Sequence, residues 1–270
     1  MGRRSLTGMR VVLTGASSGI GEAMARQLYQ RGARLLVTAR REARLQRLQA
    51  ELQASQPAVG SGPIGEVEVL AGDLTQPAFR VALTDWCHDR WEAIDVLINN
   101  AGAGAIGPFA EATAERLRGV MEIDFFAPVE LTRSMLPLLK RGQRPAIVNI
   151  GSVLGHRAVP FKSEYCAAKF ALRGWSEALR CELAGDGVEV LMVSPSTTRS
   201  EFFDSLLDTA PDQPSRSWGS MSPERVAELA ISSLVRRRRD AVLSWGGKGL
   251  VWLSSLCPSL VDRLLSRRQD

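Results

Sequence analysis

A chain of 270 residues with 45% apolar and 23% charged side chains has the composition of a soluble globular protein with ample core. Its formal charge of +5 gathers in Arg40-Arg41, Arg236–Arg239 and Arg267-Arg268, without the aromatic interleaving or motif of a nucleic-acid binder, so no nucleic-acid partner is expected. Cys87, Cys166, Cys181 and Cys257 show neither disulfide nor metal-ligand spacing, and His88 lies far from His156, so a disulfide framework and a metal site are both excluded.

The opening Met1-Gly2-Arg3-Arg4-Ser5-Leu6 lacks the apolar stretch of a signal peptide, and Leu6 breaks the myristoylation pattern. With reduced thiols, this points to a cytoplasmic protein. In chain order, apolar runs predict strands at Arg10–Leu13, Arg34–Thr38, Glu66–Leu70, Val96–Asn99, Ala146–Ile150, Val188–Val193 and Ala241–Leu243. Between them, helical patterns cover Ile20–Arg31, Glu42–Ala54, Gln76–Arg90, Glu111–Lys140, Ser163–Ala184 and Pro223–Val235. This alternation predicts a single α/β domain over residues 1–270, a doubly wound, mostly parallel seven-stranded sheet with helices on both faces.

Two segments break the alternation. Residues 194–222 hold Pro195, Pro211, Pro214 and the cluster Phe202, Phe203, Leu206 and Leu207, which suits a substrate loop after a strand's C-terminal end. The extension 246–270 contains an apolar run, Gly249–Leu260, too short to span a bilayer and interrupted by Pro258. Burial or a subunit contact is the preferred reading of that run; docking on a membrane surface is the alternative.

Thr14-Gly15-Ala16-Ser17-Ser18-Gly19-Ile20-Gly21 lies between the first strand and the first helix. Glycines there let the backbone pass close to a pyrophosphate, whose charge meets free N–H groups at the helix N-terminus. The second strand ends in Val37-Thr38-Ala39-Arg40-Arg41, without the carboxylate that would bind the ribose hydroxyls of NAD. A guanidinium instead suits the 2′-phosphate of NADP(H), with Arg40 the first candidate and Arg41 and Ser17 beside it. Tyr165 and Lys169 stand four apart on a helical pattern, on one face. A phenol with its pKa near 10 is a poor acid–base catalyst at neutral pH, and a neighbouring ammonium lowers that pKa. Ser152, just beyond a strand end, can hydrogen-bond a substrate carbonyl oxygen.

Taken in order, the glycine turn, Asp73, Asn99-Asn100-Ala101-Gly102, Ser152 and Tyr165-x-x-x-Lys169 resemble the short-chain dehydrogenase/reductase family over nearly the whole chain. The resemblance implies a Rossmann fold, a nicotinamide cofactor, a small-molecule carbonyl or alcohol substrate and a homo-oligomer. It assigns Tyr165, Lys169 and Ser152 to catalysis. It assigns Gly15, Ser17, Ser18, Gly19, Ile20 and Gly21 to the cofactor, and Asp73 and Leu74 to the adenine side. Asn100, Ala101 and Gly102 fall beside the adenosine ribose, and Pro195, Thr198 and Ser200 near the nicotinamide. Asn99 falls where the family braces its sheet. Asp124 departs from the asparagine usual there, which holds a water linking the lysine to solvent, and Ser196 replaces a usual glycine. The leading reading is an NADPH-dependent reductase of a lipophilic carbonyl compound. Asp124 and Ser196 also motivate an NADP(H)-binding interaction protein with little turnover, and the C-terminal run motivates a membrane-surface enzyme.

Overall fold

A computed structural model describes residues 2–55, 65–199, 207 and 220–266. Seven strands, β1 (Arg10–Thr14), β2 (Arg34–Ala39), β3 (Glu66–Ala71), β4 (Val96–Asn99), β5 (Ala146–Ile150), β6 (Glu189–Ser194) and β7 (Asp240–Val242), form one sheet. Its order is β3-β2-β1-β4-β5-β6-β7, and every pairing is parallel. The strand order reverses between β1 and β4, so the C-terminal ends of these two strands flank a crevice.

Side chains alternate across the sheet and create two cores. Val11, Leu13, Leu35, Val37, Val96, Ile98 and Val148 face one side, where α1 (Gly19–Tyr29), α2 (Glu42–Ala54) and α7 (Pro223–Val235) cover them. Val12, Leu36, Leu97 and Ile147 face the other, against α3 (Pro77–Trp91) and α5 (Ala127–Lys140). Burying each such Leu or Val contributes about 1.5–3 kcal/mol, which is why strands covered on both faces read as unbroken apolar runs. At the N-terminal edge, Asp95 fastens three strands. Its carboxylate accepts from Arg10 N at 2.8 Å, from the Arg10 guanidinium at 3.0 Å, and from Gln143 N at 2.6 Å. Its backbone oxygen takes Ala146 N at 2.9 Å.

The pattern over Glu111–Lys140 does not form one regular helix. Thr113 caps α4 (Ala114–Met121) by accepting from Arg116 N, which starts the helix later than its periodicity suggests. A π-helical turn over Glu122–Phe126 then leads into α5. Such a wide turn accommodates one extra residue and re-aims the side chains around it. Of the two preferred readings of the extension, burial or a subunit contact, burial within this chain is not what the structure shows. The extension forms α8 (Trp245–Leu256) and α9 (Pro258–Ser266), with Pro258 ending one helix and opening the next. Only Gly247 and Val261 of these helices are buried. Among the described residues no helix is long and apolar enough to cross a membrane.

Candidate active site

The glycine turn is shaped by close approach. Gly15 has φ +70°, and a Cβ there would sit 2.8 Å from Ala101 Cα. At Gly21 a Cβ would meet the Gly15 carbonyl oxygen at 2.1 Å. Asn100 holds the two loops together, donating from Nδ2 to Thr14 O at 2.9 Å and to Gly15 O at 3.2 Å. Thr14 Oγ1 in turn accepts from the backbone N–H groups of Asn100 and Ala101, each at 3.0 Å. Ser18 stands at the N-cap of α1 without a capping side-chain bond. The first N–H groups of α1 therefore keep their capacity for an anion.

Of the two arginines after β2, Arg41 is the one lying across this turn. It donates to Ser17 Oγ at 3.1 and 3.2 Å and to Ser18 Oγ at 2.7 Å. Arg40, the residue favoured from sequence, is exposed at the strand end. Arg41 is exposed as well, so its bonds to Ser17 and Ser18, and not burial, are what distinguish the two arginines. Asp73 accepts at Oδ1 from Thr75 N and Thr75 Oγ1, both at 2.9 Å, forming a turn that holds its carboxylate at the end of β3. Leu74 is buried in the second core. Glycine cradle, uncapped helix start and guanidinium together fit a phosphate-bearing dinucleotide.

Four side chains converge beyond β5. Ser152 follows the strand, and its Oγ accepts from Leu154 N at 3.1 Å, which fixes the hydroxyl's position. Tyr165 and Lys169 project from α6 (Ser163–Glu182), with Lys169 Nζ 5.5 Å from the Tyr165 ring centre. Lys169 Nζ also donates to Ile150 O at 3.3 Å and pairs with Asp124 Oδ1 at 2.8 Å. Asp124 arrives from the π-helical turn and accepts from Ala103 N at 3.4 Å through Oδ2. A Cβ on Gly102 would lie 2.5 Å from Asp124 Oδ1, so only glycine leaves room for this pair.

Electrostatics tie the four together. Burial raises the Tyr165 phenol above its ordinary range; Lys169 pulls it down, Asp124 pushes it up again, and a hydrogen bond with Ser152 favours the phenolate. Burial opposes the Lys169 ammonium, yet Asp124 and Tyr165 outweigh it and raise that pKa. Burial likewise raises Asp124, against the pull of Lys169 and the Ala103 N–H. The neighbouring β6 end supports Ser152: Val153 N donates to Pro195 O at 2.9 Å. Ser196 lies outside the positive-φ region, so the serine fits where glycine was expected. Thr198 is buried, and its backbone bridges to Met221. Ser200, Phe202, Phe203 and Leu206 fall outside the described residues. Leu207 packs with Ala105, Val120, Ala168 and Tyr165, making an apolar wall beside the phenol.

Two structural partners escaped the sequence reading. Arg116 and Glu164 form a buried ion pair at 2.6 Å between α4 and the first turn of α6, one residue from Tyr165. The signal was present: Glu164, Ala168 and Leu172 form one buried stripe, and a carboxylate on such a stripe demands a cation. Asn99 braces the sheet as expected, donating to Asn149 Oδ1 at 2.8 Å, while Asn149 donates to Ser176 Oγ at 2.8 Å. Ser176 carried no sequence signal of that role.

A family model described as short chain dehydrogenase matches residues 9–210. Dehydrogenase/reductase SDR family member 7B of Bos taurus is 32% identical over 268 residues, covering 96% of this chain and 80% of that protein. Among solved structures, a short-chain dehydrogenase/reductase from Burkholderia phymatum in complex with NAD superposes with a TM-score of 0.84 at 24% identity, over 95% of this chain and 96% of that one. A short-chain dehydrogenase from Sphingobium yanoikuyae in complex with NADPH is 30% identical with a TM-score of 0.75, covering 97% and 94%. With the match spanning most of the chain and the sheet order, glycine turn and serine–tyrosine–lysine cluster agreeing with it, this protein belongs to the short-chain dehydrogenase/reductase family of NAD(P)-dependent oxidoreductases.

Proposed function

We propose that this chain is an NADP(H)-dependent reductase that converts a lipophilic ketone or aldehyde to an alcohol. The observation that carries the reading is the convergence of Ser152, Tyr165 and Lys169 beyond the C-terminal end of β5, on the same edge of the parallel sheet as the turn bridged by Arg41. Gly15, Gly19 and Gly21, with the helix start at Ser18, would hold the pyrophosphate, and Arg41 the 2′-phosphate. Arg40, Asp73, Leu74, Asn100 and Ala101 would line the adenosine side, and Pro195 and Thr198 the nicotinamide side. The NADPH in the Sphingobium yanoikuyae relative supports this preference; the Burkholderia phymatum structure, at 24% identity, bears on the fold alone.

When bound, the nicotinamide supplies the hydride that reduces the carbonyl carbon. Ser152 donates a hydrogen bond to the carbonyl oxygen and stabilises the negative charge growing there. Tyr165 gives that oxygen its proton, completing the alcohol, and the resulting phenolate is stabilised by the Lys169 ammonium. Lys169 Nζ faces Asp124 and Ile150 O, and its third N–H would serve the cofactor ribose. Leu207, Ala105 and Val120 exclude water from one side of Tyr165, which favours an apolar substrate.

A second reading, a cofactor-binding protein with little turnover, draws on one observation. Asp124 holds Lys169 in a buried ion pair and opposes phenolate formation. One experiment separates the two. Aldehydes and ketones of increasing chain length are screened for NADPH and NADH consumption, alongside direct binding of both cofactors. Consumption of NADPH that rises with substrate chain length supports the reductase; tight NADPH binding with no consumption on any carbonyl compound supports the second reading.

A further inference from the structure

The helices α8 and α9 carry an apolar stripe that the domain does not cover. Trp245, Trp252 and Leu256 recur at helical spacing along α8 and are 86%, 68% and 60% exposed. Gly249 stands between them, where a Cβ would meet nothing within 4 Å. On α9, Leu260 and Leu264 lie four apart and are also exposed. Cations accompany this apolar face. Lys248 Nζ lies 4.7 Å from the Trp245 ring centre, and Arg263 is exposed beside Leu264. Asp262 is the one acid of the two helices, and Arg157 engages it.

The stripe is fixed to the rim of the catalytic cluster. A Cβ on Gly247 would lie 2.7 Å from Val153 Cγ2, so the start of α8 packs directly on the residue after Ser152. The Arg157–Asp262 pair fastens α9 to the same β5–α6 connection. Val261 is buried beneath the outward leucines.

The chemistry of this face selects its occupant. Indole rings, leucines and cations without an uncompensated acid suit the boundary between anionic headgroups and acyl chains. A second copy of the chain docking through a two-fold axis would set the same patch against itself and bring its own cations together. We infer that the α8–α9 stripe docks this protein on an anionic lipid surface and holds the rim of the active site against it, so that the substrate is a carbonyl compound dissolved in the bilayer. The docking stands on the stripe itself, while the substrate class rests on the reductase reading above.

Vesicle flotation of the full chain tests the docking without turnover. The probes are vesicles of phosphatidylcholine alone and of phosphatidylcholine with phosphatidylglycerol, at low salt. Wild type is expected to float with the anionic vesicles. The double variant Trp245→Gln/Trp252→Gln should bind them about tenfold more weakly or worse, and Lys248→Glu/Arg263→Glu should lose the preference for phosphatidylglycerol. Thermal melting and NADPH binding establish that each variant keeps its fold, since none of the four residues belongs to the site. Wild type remaining unbound to both vesicles overturns the inference, as does undiminished flotation of the tryptophan variant. Self-association that depends on the two tryptophans, without flotation, assigns the stripe to a second copy and also overturns it. Flotation by a protein inactive on every carbonyl compound upholds the docking while the reductase reading fails.

Discussion

Replacing Asp124 with asparagine should lower the pKa of Tyr165 by about one unit. The two distances from Lys169 Nζ, 2.8 Å to Asp124 Oδ1 and 5.5 Å to the phenol ring centre, keep the carboxylate within about 8 Å of that centre. At an effective dielectric constant of about 20, a unit charge at that range is worth about 2 kcal/mol, or about 1.5 pH units. Lys169, paired with the same carboxylate, masks part of it, which brings the expectation to about one unit. The sign follows from the charge: Asp124 opposes phenolate, so its removal favours phenolate and moves titration to lower pH. The chain contains two tyrosines, Tyr29 and Tyr165, so in a Tyr29→Phe background tyrosinate absorbance reports Tyr165 alone. The same variant should move the alkaline-side rise of alcohol oxidation by the same amount. Leaving Lys169 without its carboxylate should also cost on the order of 3 kcal/mol of stability, a loss a domain of this size tolerates. An unmoved titration accompanied by a lower melting temperature would refute the reasoning, because it would make Asp124 a brace and nothing more.

Two further outcomes follow from named contacts. Arg41→Asp should reduce the preference for NADPH over NADH by about 10- to 100-fold, the value of one charge-assisted phosphate contact, with a smaller change for Arg40→Asp; titrations of both cofactors measure it, and the opposite ranking would return the 2′-phosphate to Arg40. Asp95→Asn should destabilise the protein by about 3 kcal/mol, because it leaves the Arg10 guanidinium without its countercharge. Burial alone would raise the Asp95 pKa, but bonds from Arg10 and Gln143 outweigh it and hold it below the ordinary carboxylate range. The contribution is therefore full above about pH 4 and is lost as pH falls through the depressed value, so the gap in melting temperature between wild type and variant should close in acid.

The sheet was legible because its central strands are buried on both faces. Arg10–Leu13 and Ala146–Ile150 read as continuous apolar runs, and the structure extends or trims the predicted strands by no more than a residue at either end. The serine–tyrosine–lysine cluster was legible because Ser152 follows a strand end and Tyr165 and Lys169 share one helical face. What stayed hidden depends on tertiary neighbours. The periodicity of Glu111–Lys140 cannot show a π-helical turn, whose extra residue leaves the apolar pattern almost unchanged. The bonds of Arg41 to Ser17 and Ser18 depend on how the start of α2 meets the glycine turn, which two adjacent arginines do not reveal. The exposure of Trp252, Leu256 and Leu260 depends on the angle of a helix pair against Val153, which an apolar run does not show.

The claim at the centre of this account is that the Tyr165 hydroxyl supplies the proton in carbonyl reduction. Its most direct measurement compares wild type with Tyr165→Phe, following NADPH consumption on the best substrate of the carbonyl screen and NADPH affinity in parallel. The substitution removes one oxygen and little volume, so affinity should stay within about twofold while turnover falls by about 10²- to 10⁴-fold, the worth of a positioned acid. Turnover in Tyr165→Phe near the wild-type rate, with NADPH still bound, would contradict the assignment of Tyr165 as the proton donor.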